Sequence, residues 1–198
     1  MENIEFTKLI QDEHWDAVKV AINNGYNLNT NDAFGAPIML EFGKAPVDVI
    51  ELCLKKGAIL SAWIISCFVS RANIDVISYL IESKIDLNLE IKVKEDFNVL
   101  LGDLLEELPL SALAGYPGDE LHETKLKIAK LLLDNGMNID ATDTAGRTAL
   151  HLAAINGDIE TIKFLLDNGA SKKIKDIKNK RAFHLADKDE KELKALIK

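Results

Sequence analysis

The sequence predicts an all-α solenoid of stacked helical hairpins, and three observations predict it. First, two apolar residues stand four and three positions ahead of a glycine at Ala21, Ile22 and Gly25, at Cys53, Leu54 and Gly57, at Leu132, Leu133 and Gly136, and at Leu165, Leu166 and Gly169. Second, these turns keep a period, with 32 residues between Gly25 and Gly57 and 33 between Gly136 and Gly169. Third, the residues ten positions ahead of each turn are Trp15, Val47, Ile74, Leu126 and Ile159, and those seven ahead are Val18, Ile50, Ile77, Ala129 and Ile162. Spacings of three and four put all of these side chains on one helical face. A lone hairpin cannot cover such a stripe, but neighbouring hairpins can cover it for one another.

The units follow in order. In the first, 1–30, acidic residues are scattered among the apolar ones, so MENIEFTKLIQDEHWD does not read as a secretory leader. The second, 31–60, places Asp32 and Gly35 at the two sides of a projecting β-turn. The third, 61–88, carries Leu80 and Ile81 but has Lys84 where the glycine is expected. Only 17 residues separate Gly57 from Ile74, where 23 separate Gly136 from Ile159, so this unit loses its projecting turn. Its apolar run from Ala58 to Ser70 is too short to span a bilayer and reads as a buried helix.

The fourth unit, 89–141, is overlong, since Lys84 and Gly136 lie 52 residues apart. Leu108 to Ala114 matches Thr148 to Ala154 in pattern. Phe97 to Leu105 suits a short extra helix, and Gly115 to Asp119 suits a turn. The fifth unit, 142–174, is the most regular: Asp143 to Ala170 reads DTAGRTALHLAAINGDIETIKFLLDNGA, a turn, a short apolar helix, a second turn and a longer helix. The sixth, 175–198, is a partial copy in which Asp176, Asn179, Ala182, Phe183, His184, Leu185 and Ala186 repeat, at a shift of 33, Asp143, Gly146, Ala149, Leu150, His151, Leu152 and Ala153. Leu193, Leu196 and Ile197 then face inward beneath a polar outer side, as a cap requires. No Pro-, Gly- or Ser-rich linker divides the chain, so 1–198 is expected to be a single domain.

Thr148, Ala149, Leu150, His151, Leu152 and Ala153 follow the pattern T-P-L-H-x-A, and with the period near 33 they make the chain resemble the ankyrin-repeat family. The match is strongest from Lys125 to Ala186, moderate over 1–57 and poorest between Ala58 and Glu123. The resemblance implies an ankyrin-repeat α-solenoid of about five helix-turn-helix repeats, a C-terminal capping repeat and short β-turn fingers. It also implies that His151 and His184 are structural, hydrogen-bonding near the turn. Members of this family bind other proteins with their finger tips and the inner face of their first helices. Mapped here, those positions are Ala33, Phe34 and Ala36, then Thr144, Ala145 and Arg147, then Ile177, Lys178 and Lys180, with Ile155 and Asn156 at the end of a first helix. Phe34 and Arg147 are the strongest candidates, because exposed aromatic and arginine side chains supply a large share of interface energy. Asp143 and Gly146 are expected to hold the turn.

Charge divides the chain. From Ser171 onward ten Lys or Arg face five Asp or Glu, a local net of +5, which leaves −13 on residues 1–170 of a chain whose net charge is −8. An acidic body favours a basic protein partner and repels nucleic acid. Cys53 and Cys67 lie in apolar helical patterns without zinc-ligand neighbours, which suits reduced core residues in a cytoplasmic protein. No phosphate-binding glycine loop, nucleophile elbow or metal-protease motif occurs.

The expected function is therefore a non-enzymatic, monomeric protein-binding module with no cofactor, no metal and no membrane segment. Two alternatives remain at this point: an immunity- or antitoxin-type inhibitor of a toxic enzyme, and a hydrolase or metal site built from Glu120, His122 and Glu123 in the insertion. The insertion, 89–123, is a further candidate for partner contact, since additions to repeats emerge as loops.

Overall fold

The structure, a computed structural model, describes residues 2–31, 37–86, 121–187 and 191–198, with backbone alone at 62 and 63. The described residues form α1 (Asn3–Gln11), α2 (Trp15–Asn23), a 3-10 helix (Ile38–Lys44), α3 (Val47–Lys55), α4 (Ala62–Ser70), α5 (Ile74–Glu82), α6 (His122–Asp134), α7 (Ala149–Ile155), α8 (Ile159–Asp167), α9 (Ala182–Leu185) and α10 (Lys191–Ile197). None of them lies in a strand; an isolated antiparallel bridge joins Asn31 to Pro37. The extra helix expected at Phe97–Leu105, the segment Leu108–Ala114, the turn at 115–119 and the finger tip at 32–36 fall outside the described residues.

Helices pair in sequence, α1 with α2, α4 with α5, α7 with α8 and α9 with α10. They also stack in register. First helices meet first helices, as α1 meets the 3-10 helix, the 3-10 helix meets α4 and α7 meets α9; second helices meet second helices, as α2 meets α3, α3 meets α5, α5 meets α6 and α8 meets α10. One apolar cluster takes in buried residues from Phe6 to Ile197.

The apolar spacing explains the stacking. Val18, Ile50, Ile77, Ala129 and Ile162, seven positions ahead of each turn, are all fully buried. So are Cys53, Leu80, Leu132 and Leu165 four positions ahead, and Ala21 at the same position is buried. Three positions ahead, Leu54, Ile81, Leu133 and Leu166 are half-buried at the edge of the stripe, and Ile22 alone among these is buried. Each fully buried aliphatic side chain contributes about 1.5–3 kcal/mol relative to solvent exposure.

Two elements depart from the expected helical pattern. Where a first helix was expected after the second unit's finger, the chain forms a 3-10 helix, between Pro37 and Pro46 and with Gly43 inside it. Proline and glycine both disfavour a continuing α-helix. Gly43 also permits close contact with α4, since a Cβ there would sit 2.8 Å from Cγ of Arg71. The second departure is α6, expected to begin at Leu126 but in fact begun at His122, one turn earlier. No helix breaker lies between Leu121 and Leu126, and Lys125 in the added turn is buried. His122 and Glu123 are therefore helical residues, not loop residues.

The shortened third unit is as expected. Ser61 caps α4, its hydroxyl accepting the Ile64 N–H at 3.3 Å, so the chain passes from the Gly57 turn into a helix with no projecting finger.

Helix-ending turns require a positive φ. Gly25, Gly57, Gly136 and Gly169 adopt φ of +89°, +87°, +86° and +94°. Lys84 makes the same turn with φ +55°, a region that costs an L-residue with a Cβ roughly 1–2 kcal/mol. Lys84→Gly relieves this strain and, after the extra chain entropy of glycine, is expected to stabilise the protein by about 0.5–1 kcal/mol. Urea unfolding of the two proteins measures the difference; equal or lower stability of the variant contradicts the reading.

Candidate partner-binding surface

Two fingers are built alike from an acidic residue and a residue with positive φ. In the fifth unit, Gly146 N–H donates to the Asp143 carbonyl at 2.9 Å, and Asp143 N–H donates to the Arg147 carbonyl at 2.9 Å. The buried Asp143 carboxylate accepts the Arg147 backbone N–H and its Nε, both at 2.7 Å. In the sixth unit Asn179 N–H donates to the Asp176 carbonyl and Asp176 N–H to the Lys180 carbonyl. Oδ1 of Asp176 accepts the N–H groups of Lys178 (2.9 Å) and Lys180 (2.8 Å), and these bonds hold its carboxyl below the usual range. Asn179, at φ +60°, stands where Gly146 stands at +72°.

The fingers touch. Ile177 N–H donates to the Ala145 carbonyl at 3.0 Å, and a Cβ on Gly146 would lie 3.1 Å from the Ile177 nitrogen. Glycine therefore fits here with less strain than a residue bearing a Cβ, which would press on the Ile177 backbone.

His151 joins finger to helix. Its Nδ1 accepts the Thr148 backbone N–H at 3.1 Å and lies 2.9 Å from the Thr148 hydroxyl. The ring proton consequently sits on Nε2, which donates to the Lys180 carbonyl of the next finger at 3.2 Å. Burial pushes this imidazole below its usual value, outweighing the Lys180 hydrogen bond and the nearby Asp176 and Asp143 carboxylates. His184 repeats the local half of the arrangement, its Nδ1 accepting the Arg181 N–H at 3.1 Å, but it is exposed.

The residues expected to contact a partner divide accordingly. Thr144 is exposed; Ala145 is half-buried and supplies the carbonyl that receives Ile177. The Nε of Arg147 is engaged by Asp143, so this side chain supports the finger even as it reaches the surface. Ile177, 73 % exposed, and Lys178 and Lys180, both exposed, project from the last finger. Ile155 is exposed and Asn156 half-buried at the far end of α7, about 10 Å from the finger along the helix. Ala33, Phe34 and Ala36 lie outside the described residues.

Sequence reasoning missed the polar ladder that holds successive turns in line. The Asn29 side chain donates to the Gly57 carbonyl at 2.8 Å and accepts the Ile59 N–H at 2.9 Å. Asp140, at the same position of a later unit, accepts the Ser171 N–H at 2.9 Å. Asn27 and Asn138 brace these residues by accepting the N–H of Asn29 and Asp140, both at 3.0 Å. Asn73 caps α5 and donates to the carbonyls of Gly43 and Ala45, each at 3.0 Å. The recurrence of Asn or Asp two and four positions after the turn was the available signal.

Two of the three groups that suggested chemistry in the insertion, His122 and Glu123, are described and lie in the first turn of α6. Glu123 pairs with Lys127 at 2.8 Å. The His122 Nδ1 lies 4.0 Å from Oδ2 of Asp158, which caps α8, and Nε2 lies 3.5 Å from Glu160. Glu120 is outside the described residues. Among those described, no group of three His, Cys, Asp or Glu side chains is placed to hold a metal ion. Cys53 and Cys67 form no disulfide, and burial pushes the Cys53 thiol up to about 12. A cleft lined by Asn3, Tyr26 and Thr30 has its polar groups turned on one another, with Tyr26 donating to Asn3 at 2.9 Å and Asn3 to the Asn31 carbonyl at 2.8 Å. No described helix is long and apolar enough to cross a membrane.

Paired helices stacked in register, with turns projecting between pairs, define a helical repeat protein. Residues 121–166 match the family "Ankyrin repeats (many copies)". The fold is similar to that in the crystal structure of the human ASB11 ankyrin repeat domain, with a TM-score of 0.67 and 20% identity over 97% of this chain and 80% of that one. No curated protein matches the sequence. Residues 121–166 thus match ankyrin repeats and the fold of the chain is that of an ankyrin repeat domain; ankyrin repeats generally mediate binding between proteins.

The depressed His151 pKa sets a pH dependence. The imidazole is neutral when folded and takes up a proton more readily when unfolded, so its contribution is present above about 6.5 and is lost as pH falls toward the lower folded value. His151→Gln is expected to lower the melting temperature at pH 7.5 and to show a smaller further decrease on moving to pH 5.5 than the unaltered protein. Equal decreases in the two proteins would contradict this role.

Proposed function

We propose that the chain is a non-enzymatic, monomeric module of the cytoplasm that binds a protein partner through its concave face, made of the finger tips and the inner face of the first helices. The observation that carries this reading is the division of labour within the fingers. Their backbones and acidic residues are consumed by internal hydrogen bonds, while the side chains of Ile177 and Lys178 are left to solvent. A rigid frame with substitutable tips loses little conformational entropy on binding. The contact set is Ala33, Phe34, Ala36, Thr144, Ala145, Arg147, Ile155, Asn156, Ile177, Lys178 and Lys180. The charge of −13 on residues 1–170 favours a basic partner surface along the body and weakens association as salt rises.

Capture from the native host followed by mass spectrometry identifies the partner. The double variant Thr144→Arg, Ile155→Arg is expected to lose that partner with an unchanged melting temperature. Leu165→Ala, which removes a fully buried side chain, is expected instead to lower stability by about 2–5 kcal/mol. Undiminished capture by the double variant would overturn the assigned face.

A further inference from the structure

The basic end of the chain is not accounted for by a partner that complements an acidic body. Lys172, Lys173, Lys175, Lys178, Lys180 and Arg181 are all exposed within ten residues, and none lies in an ion pair with a described residue. The lone carboxylate among them, Asp176, is 9 % exposed and is occupied by the N–H groups of Lys178 and Lys180. These cations stand on a fixed backbone. Ser171 N–H is held by Asp140, Lys173 N–H by the Ser171 hydroxyl at 3.3 Å, Ile177 N–H by Ala145 and the Lys180 carbonyl by His151. In the midst of the charge stands Ile177, with 73 % of its surface in solvent, the most exposed large hydrophobic residue described.

We infer that the last finger and the loop leading into it, 171–181, form a docking site for an acidic protein segment that carries an apolar side chain among its carboxylates. This deepens the protein-binding reading above and rests on it. The cations supply attraction and orientation on a prearranged frame, and Ile177 supplies an apolar contact that a phosphate backbone does not use. Length also favours a peptide over a nucleic acid or a membrane, since the basic surface spans one finger and its loop, and an extended polyanion running past it meets the acidic remainder of the chain. A partner that covers the whole row of fingers is then bipolar, basic toward the body and acidic toward the last finger.

The test uses the full chain and a fluorescent peptide of alternating glutamate and aspartate with one central leucine, read by anisotropy at low and moderate salt. A peptide with serine in place of the leucine, a single-stranded RNA of equal charge and vesicles containing phosphatidylserine serve as competing probes. The expected result is binding of the leucine peptide that weakens with salt, and that falls roughly tenfold or more in Lys173→Glu, Lys175→Glu, Lys178→Glu. Ile177→Ser is expected to reduce binding of the leucine peptide and to leave the serine peptide unaffected. These side chains are exposed, and an unchanged melting temperature verifies that each variant is folded. No peptide binding, binding unaltered by the triple substitution, or tighter binding of the RNA or the vesicles overturns the assignment. If the peptide fails while Thr144 and Ile155 still govern capture of the partner, the acidic-segment assignment alone is lost; failure of that capture removes the broader reading.

Discussion

An apolar stripe that its own hairpin cannot cover is the constraint on which this structure depends. Within a nine-residue helix such as α8, Ile162 and Leu165 face one way and are fully buried, while Glu160, Lys163 and Asp167 face solvent. The stripe is satisfied only when the next pair lies alongside, and the next pair then presents the same need. Stacking in register follows from that requirement, and the polar ladder of Asn29 and Asp140 fixes the register that burial alone leaves free to slide. Hydrogen bonds of this kind contribute modestly one at a time, about 0.5–1.5 kcal/mol each, yet they are directional where apolar contact is not.

The same constraint separates stability from recognition. Burial occupies the helix faces directed at neighbouring pairs, so the fingers and the free ends of the first helices are relieved of core duty. Asp143 and Asp176 then rigidify each finger from within by accepting backbone N–H groups. His151 performs the coupling step, since it binds its own helix start at Nδ1 and the following finger at Nε2. Finger position is thereby tied to helix position across the fifth and sixth units.

The helical frame was largely legible in the sequence because burial imposes a period on it. Trp15, Val47, Ile74 and Ile159 each begin a helix where the spacing places them. The absent third finger was equally readable, from the short interval between Gly57 and Ile74. Legibility failed where propensity or local chemistry prevailed over the period. Pro37, Gly43 and Pro46 turn an expected α-helix into a 3-10 helix, and the unbroken stretch ahead of Leu126 adds a turn to α6. Of the surface positions, Arg147 illustrates the difficulty: a residue chosen as a contact has its Nε bound to Asp143, a pairing that spacing alone did not reveal. The ladder of Asn and Asp side chains was overlooked because polar residues after a turn look solvated until the neighbouring unit is in place.

Native-state hydrogen exchange distinguishes a stability shared along the stack from a local one, because it reports protection amide by amide. Slow-exchanging amides are expected in the second helices around Val18, Ile50, Ile77, Ala129 and Ile162, with fast exchange at the exposed turns between them. Protection confined to one cluster of neighbouring helices, with the other second helices exchanging freely, would contradict a stability shared along the stack.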